Sequence, residues 1–204
     1  LGQARELYSY AAKVEGKGND EDKFAYLRDV RQYRNLLLLE QPNGDFARTM
    51  VRQFLYATFA DLYWRAMMRS GDPTLAAIAA KSEKESAYHV RHSSEWIVRL
   101  GDGTEESHRR AQSAIDELWA FTGEMFSVDD SERGLIDAGI AIDPAPLRSQ
   151  WLKTITGIAG EATLALPKND WMQQGGRSGR HSEHLGHLLS ELQSMPRTFP
   201  GATW

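Results

Sequence analysis

The residues of this chain best suited to chemistry are its histidines and the carboxylates near them. Helical bundles build carboxylate-bridged dimetal sites from inward glutamates plus a Glu-x-x-His pair on each of two helices. Each metal takes one imidazole, so two such pairs are required. Three residues ahead of the six histidines stand Ser86 (for His89), His89 (for His92), Glu105 (for His108), Ser178 (for His181), His181 (for His184) and His184 (for His187). Only Glu105/His108 has the required form. It falls in the first turn of a helix, where an acidic residue complements the dipole, so the pair reads as helix-end electrostatics.

Two further constellations stand out. The stripe Leu75, Ile78, Ser82, Ser86, His89, Ser93, Trp96, Leu100 is apolar at both ends and polar in the middle. We expect Ser82, Glu85, Ser86 and His89 to form a buried, internally satisfied hydrogen-bond cluster, because serine hydroxyls seldom hold a transition metal. His181, Glu183, His184 and His187 gather at the start of the last helix, with His184 and His187 at a ligand-like spacing. The preceding Gly175-Gly176-Arg177-Ser178-Gly179-Arg180 is basic, and Ser182-Glu183 suits capping, so a structural or interface role is preferred to zinc or iron. Arg180, Glu183 and His184 are the candidate partner-interface residues. That loop lacks the G-K-[ST] ending of a phosphate cradle, and the sequence has neither cysteine nor a G-x-S-x-G nucleophile motif. Trp171 and Trp204 fall in irregular segments and are candidate partner anchors.

The elements that must position these groups read as helices throughout. Apolar residues recur at three-and-four spacing through Ala4, Leu7, Ala11 and Val14, and Gly16 to Asp20 end that helix. Residues 21 to 39 form a less regular helical stretch, and Gln41-Pro42-Asn43-Gly44-Asp45 is a turn. Phe46, Met50, Phe54, Ala57, Ala60, Trp64 and Met68 mark a core helix with Asp45 as its N-cap. Asp72-Pro73 opens a helix that runs to Leu100, and Thr104-Glu105-Glu106 opens the next, with Ala111, Ile115, Leu118, Thr122 and Met125 inward. Residues 127 to 142 lack a period, Leu147 to Ala162 mark one more helix, and Leu185, Leu188, Leu189, Leu192 and Met195 the last. No stretch alternates with period two, so the expected fold class is all-α, a single helical-bundle domain over residues 1–204.

Composition narrows the function classes. A net charge of −4 over 204 residues offers no positive field for nucleic acid. No apolar run approaches the length needed to span a membrane. The absence of cysteine excludes disulfides and thiolate metal sites, and the cytoplasm is the expected compartment. The sequence opens at Leu1 inside a helical pattern, from which we expect a further N-terminal helical part of the protein.

Longer blocks carry a resemblance. Arg31-Gln32-Tyr33-Arg34-Asn35-Leu36-Leu37-Leu38-Leu39-Glu40-Gln41-Pro42-Asn43-Gly44-Asp45-Phe46-Ala47, Lys84-Glu85, Tyr88-His89-Val90-Arg91-His92-Ser93, Arg99-Leu100-Gly101-Asp102-Gly103-Thr104, Leu118-Trp119 with Phe121-Thr122-Gly123-Glu124-Met125-Phe126, and His181-Ser182-Glu183-His184-Leu185-Gly186 occur in this order. They resemble, over essentially the whole chain, the C-subunit family of the bacterial phenylacetyl-CoA 1,2-epoxidases, also called phenylacetate-CoA oxygenases. The resemblance implies a ferritin-like bundle that is a non-catalytic, structural companion to the paralogous catalytic A-subunit, which holds a diiron centre. It further implies other oxygenase subunits, including a reductase, and a role in aerobic phenylacetate catabolism.

Carrying the catalytic paralogue's ligand pattern across puts its ligand positions at Gln3, Ala57, Ser86 and His89, of which only His89 keeps a ligating residue. The resemblance thus implies no metal and no catalytic residue in this chain. Two other readings stay open on the residues alone. One is a self-contained diiron oxidase using Glu85, His89, Glu105 and His108 with further acids; the other is a metal-free scaffold for an unrelated partner.

Overall fold

The computed structural model describes residues 2–168 and 171–202, which divide into two compact units. Pro42–Gln174 is one; the described residues of Leu1–Gln41 and Gly175–Trp204 are the other. Every regular element among the described residues is helical, so the fold is all-α, as the periodicity predicts.

The unit of residues 42–174 is a bundle built on α4 (Phe46–Met67), α5 (Pro73–Gly101), α6 (Glu105–Leu118) and α8 (Leu147–Glu161), with the short α7 (Asp130–Asp137) between the last two. Local chemistry starts each of the first three. The Arg48 N–H donates to the Asp45 carboxylate at 2.9 Å, and Asp72 accepts from the Thr74 and Leu75 N–H groups at 2.8 and 3.0 Å with Pro73 at the first position. Thr104 and Ser107 cap reciprocally, the Ser107 N–H giving to Thr104 Oγ1 at 3.1 Å and the Thr104 N–H to Ser107 Oγ at 2.9 Å. The tight link from α4 to α5 folds the two antiparallel, and they form the most extensive helix pair, with α6 and α8 packed against α4.

Leu55, Ile97, Leu118, Met125 and Ile155 are fully enclosed in this unit, each burial contributing about 1.5–3 kcal/mol. Trp151 packs against Trp119 and Phe126 at ring distances of 5.7 and 5.4 Å and donates its indole N–H to the Leu55 carbonyl at 2.9 Å. Gly101 ends α5 where only glycine fits, since a Cβ there would stand 2.1 Å from the Ala162 carbonyl oxygen.

Three expectations about the elements of this unit change. The helix predicted through Met125 stops at Leu118 and continues as two 3₁₀ turns, Trp119–Phe121 and Gly123–Phe126, with the Thr122 hydroxyl bonding back to the Trp119 carbonyl at 2.8 Å. The aperiodic 127–142 holds α7, opened by a capping box between Asp129 and Glu132. Phe46 and Met68, at the two ends of the predicted core stripe, are half-exposed, Phe46 packing edge-on against Trp96 with ring centres 5.0 Å apart.

The other unit contains α1 (Gly2–Glu15), α2 (Glu21–Tyr26), a 3₁₀ turn at Val30–Gln32, α3 (Leu37–Glu40), a 3₁₀ turn at Gly176–Ser178, α9 (Glu183–Leu192) and α10 (Ser194–Thr198). Its apolar interior is small: Ala12, Leu37, Leu38, Leu185 and Leu189 are buried, together with the polar Glu40 and Gln193. Arg28 compensates by stacking: its guanidinium sits 4.3 Å from the Tyr33 ring centre and 5.2 Å from that of Tyr8, and it donates to Tyr8 Oη at 2.8 Å.

Candidate functional site

On α5, Ser82 and Ser86 point inward as predicted, Ser82 with 1% of its surface exposed. Glu85 and His89 do not join them. Both are exposed, so the expected four-residue buried cluster reduces to two serines. Glu85 lies off the inner face. His89 lies about 20° from Ser82 on a helix of 3.6 residues per turn, yet it is exposed, so its position on the wheel does not translate into burial. Tyr88 stacks on His92 at 5.9 Å with Arg91 5.6 Å from the Tyr88 ring centre, an aromatic and cationic group on the outer side of α5. The Ser93 hydroxyl bonds back to the His89 carbonyl at 2.6 Å, and Ser82 Oγ has no hydrogen-bond partner among the described residues.

Ala57 is buried on α4 and Ser86 on α5, while Gln3 lies on α1 in the other unit. The pair Glu105/His108 is separated by function: Glu105 is exposed, and His108 places Nδ1 2.8 Å from the Gly101 carbonyl. Among the described residues, no three histidine, aspartate or glutamate side chains are grouped to hold a metal ion. The interior of the bundle holds a small void of about 10 Å³ lined by residues such as Phe54, Leu55, Ile97 and Ile155. A cleft of about 250 Å³ at the bundle surface holds Arg48, Arg109 and Arg110, but each faces a carboxylate: Glu117, Glu106, and Asp45 with Glu106 respectively.

The histidine group at 181–187 also resolves differently from a ligand cluster. His181 is 3% exposed at its side chain and sets Nδ1 2.6 Å from Glu40 Oε1, with Nε2 3.1 Å from the Tyr33 carbonyl. Ser182 donates both its backbone N–H (2.8 Å) and its hydroxyl (2.9 Å) to Glu40 Oε2. Its side chain is therefore engaged by Glu40 and makes no capping bond to α9, contrary to the sequence expectation. Sequence reasoning misses Glu40, although a glutamate directly after four leucines is an available signal: its side chain is fully buried.

His184 is half-buried and His187, Arg180 and Glu183 are exposed. Beside them runs the most conspicuous surface feature of this unit. Leu188, Leu192, Met195 and Phe199 are 58, 44, 50 and 53% exposed and recur at the four, three and four spacing of one helix face along α9 and α10. The sequence pattern gives the last helix the apolar residues Leu185, Leu188, Leu189, Leu192 and Met195. Of these, Leu185 and Leu189 are buried, because the apolar sector of α9 is wider than the face that the unit covers. Next to this ridge a groove of about 380 Å³ runs past Gly186, Ser190 and Ser194. Trp171 is 62% exposed, and Trp204 lies outside the described residues. No helix among the described residues is long and apolar enough to cross a membrane.

Comparison with known proteins gives two findings. The family of phenylacetic acid catabolic proteins matches residues 1–204. The C-subunit of 1,2-phenylacetyl-CoA epoxidase from Escherichia coli (strain K12) is 47% identical over 204 residues, covering all of this chain and 82% of that protein.

Proposed function

The chain belongs to the phenylacetic acid catabolic protein family, and from that premise we propose that it is a structural, non-catalytic component of a multicomponent phenylacetyl-CoA epoxidase serving aerobic phenylacetate degradation. The observation that carries the reading is the 47% identity, along the whole chain, to a protein named as the C-subunit of that enzyme. The donor chemistry supports it. An amide at Gln3, a methyl at Ala57 and a hydroxyl at Ser86 stand where the resemblance puts iron ligands, and none supplies the charge or the bridging oxygens that two ferrous ions require. These residues do not fit a diiron centre, so the reading assigns that cofactor to the catalytic partner, with electrons from a separate reductase. The contribution of this chain is to pack on its partner, and an exposed apolar ridge such as that on α9 and α10 is the kind of surface that such packing covers.

The test is to load the full-length protein with ferrous iron, alone and together with the diiron partner, and to measure iron and co-elution on a sizing column. The expected result is iron near zero on this protein alone and a stable complex of the two. About two irons retained per chain on this protein alone, the stoichiometry of a bundle site, would overturn the reading.

A further inference from the structure

The unit formed by residues 2–41 and 175–202 is held together by an unusual balance of forces. Its buried apolar side chains are few, and α2 and α10 bury none. At its centre is instead a carboxylate without solvent contact. The polar contacts of Glu40 come from a short stretch of chain before α3 and from the segment just before α9. Oε1 receives His181 Nδ1 at 2.6 Å and Asn35 Nδ2 at 3.4 Å; Oε2 receives the Ser182 N–H at 2.8 Å and its hydroxyl at 2.9 Å. Glu40 Oε1 and the Tyr33 carbonyl lie within hydrogen-bond distance of the two ring nitrogens, so the imidazole is held on both edges. A carboxylate in such a place is tolerated only while its partners are seated, since taking one away leaves an uncompensated buried charge.

The glycine loop before His181 is shaped to bring those partners in. A Cβ on Gly176 would stand 2.1 Å from the Asn35 carbonyl oxygen, and the Asn35 N–H donates to the Gly176 carbonyl at 3.2 Å. Gly179 holds a φ of +79° directly over Arg31 and Arg34. Beyond the loop, Gln193 donates to the Arg28 carbonyl at 2.9 Å, while the Arg197–Asp29 pair is solvent-exposed and contributes little.

We propose that Glu40, His181 and Ser182 form a latch that makes this unit open and close as one cooperative element. When His181 and Ser182 seat on Glu40, the segment 183–199 is docked on 28–40. When they leave, the thin apolar interior cannot hold the two segments, and α9 with α10 detaches as a body. The latch thereby sets whether the ridge of Leu188, Leu192, Met195 and Phe199 is presented on an ordered helix.

Hydrogen exchange on the full chain, followed by mass spectrometry, tests this with Glu40→Gln, which keeps the shape and removes the charge. Amides of 37–40 and 183–192 are expected to exchange on the order of a hundredfold faster than in the unsubstituted protein, while those of 46–67 and 73–101 stay within about twofold. Equal acceleration in both sets would overturn the proposal, because the pair would then only add to global stability. Unchanged exchange in 183–192 would overturn it equally. If Glu40→Gln fails to fold, Ser182→Ala removes one donor to Oε2 and is expected to give about a tenfold acceleration confined to the same segments; its absence or its spread to 46–101 counts against the latch.

Discussion

His108 reaches back over the Asp102–Thr104 link and sets Nδ1 2.8 Å from the carbonyl oxygen of Gly101, so the imidazole of the one Glu-x-x-His pair in the sequence is engaged at a helix end. The last carbonyls of α5 have no partner within the helix, and the imidazole N–H supplies one. His108→Ala should therefore cost about 1–2 kcal/mol in urea unfolding. Glu105→Ala, whose side chain is exposed, should change stability by less than about 0.5 kcal/mol. Equal losses from both substitutions would mean that the two residues act together after all.

The buried hydroxyl of Ser82 makes no hydrogen bond among the described residues. A polar group enclosed without a partner costs free energy that a methyl group of similar size does not. Ser82→Ala is expected to raise stability by about 1 kcal/mol without altering the far-ultraviolet circular dichroism. A loss of similar size would show that the hydroxyl is engaged.

Much of this is readable in the sequence where the cause is local. Asp45, Asp72-Pro73 and Thr104 start their helices because capping depends on a few neighbouring residues. The inward set of α5 is readable too, down to Ser82 and Ser86, since 3.6-residue periodicity reports which residues share a face. It does not report whether another element covers that face. Hence His89, in register with Ser82, is exposed, and Leu188 and Leu192 of the apolar sector lie outside the core. The Glu40–His181 pair is beyond local reading, as 141 residues separate its members.

Asp61 on α4 lies 3.0 Å from Arg65, which in turn reaches Glu83 on α5 at 3.3 Å. Burial nevertheless holds the Asp61 carboxyl above the usual carboxylate range, outweighing the attraction of Arg65, with Glu83 adding to the rise. A carboxyl raised in this way favours the folded state while protonated, below its ordinary range, and that advantage is lost as the pH rises through the raised value. Above it, the ionised group weighs against folding. Asp61→Asn should accordingly have a slightly higher Tm than the unsubstituted protein at pH 7, with the difference disappearing near pH ~3, where the carboxyl is protonated in both states. A lower Tm at pH 7 would mean that the Arg65 pair dominates.

If the chain packs on its partner as proposed, the ridge on α9 and α10 separates folding from assembly. Leu192 and Met195 are 44 and 50% exposed, and replacing exposed apolar groups by charge usually changes stability by no more than about 0.5 kcal/mol. A charge placed in the centre of an apolar interface, by contrast, must be desolvated without a partner, which weakens binding by about tenfold or more. The double substitution Leu192→Glu and Met195→Glu should thus leave the urea midpoint of the isolated protein nearly unchanged while abolishing co-elution with the diiron partner. Leu135→Glu on α7, another exposed leucine, is the control and should leave the complex intact. Were the ridge variant to co-elute as before, the contact surface would lie elsewhere, even with the structural role itself upheld; were Leu135→Glu alone to break the complex, the surface around α7 would take its place.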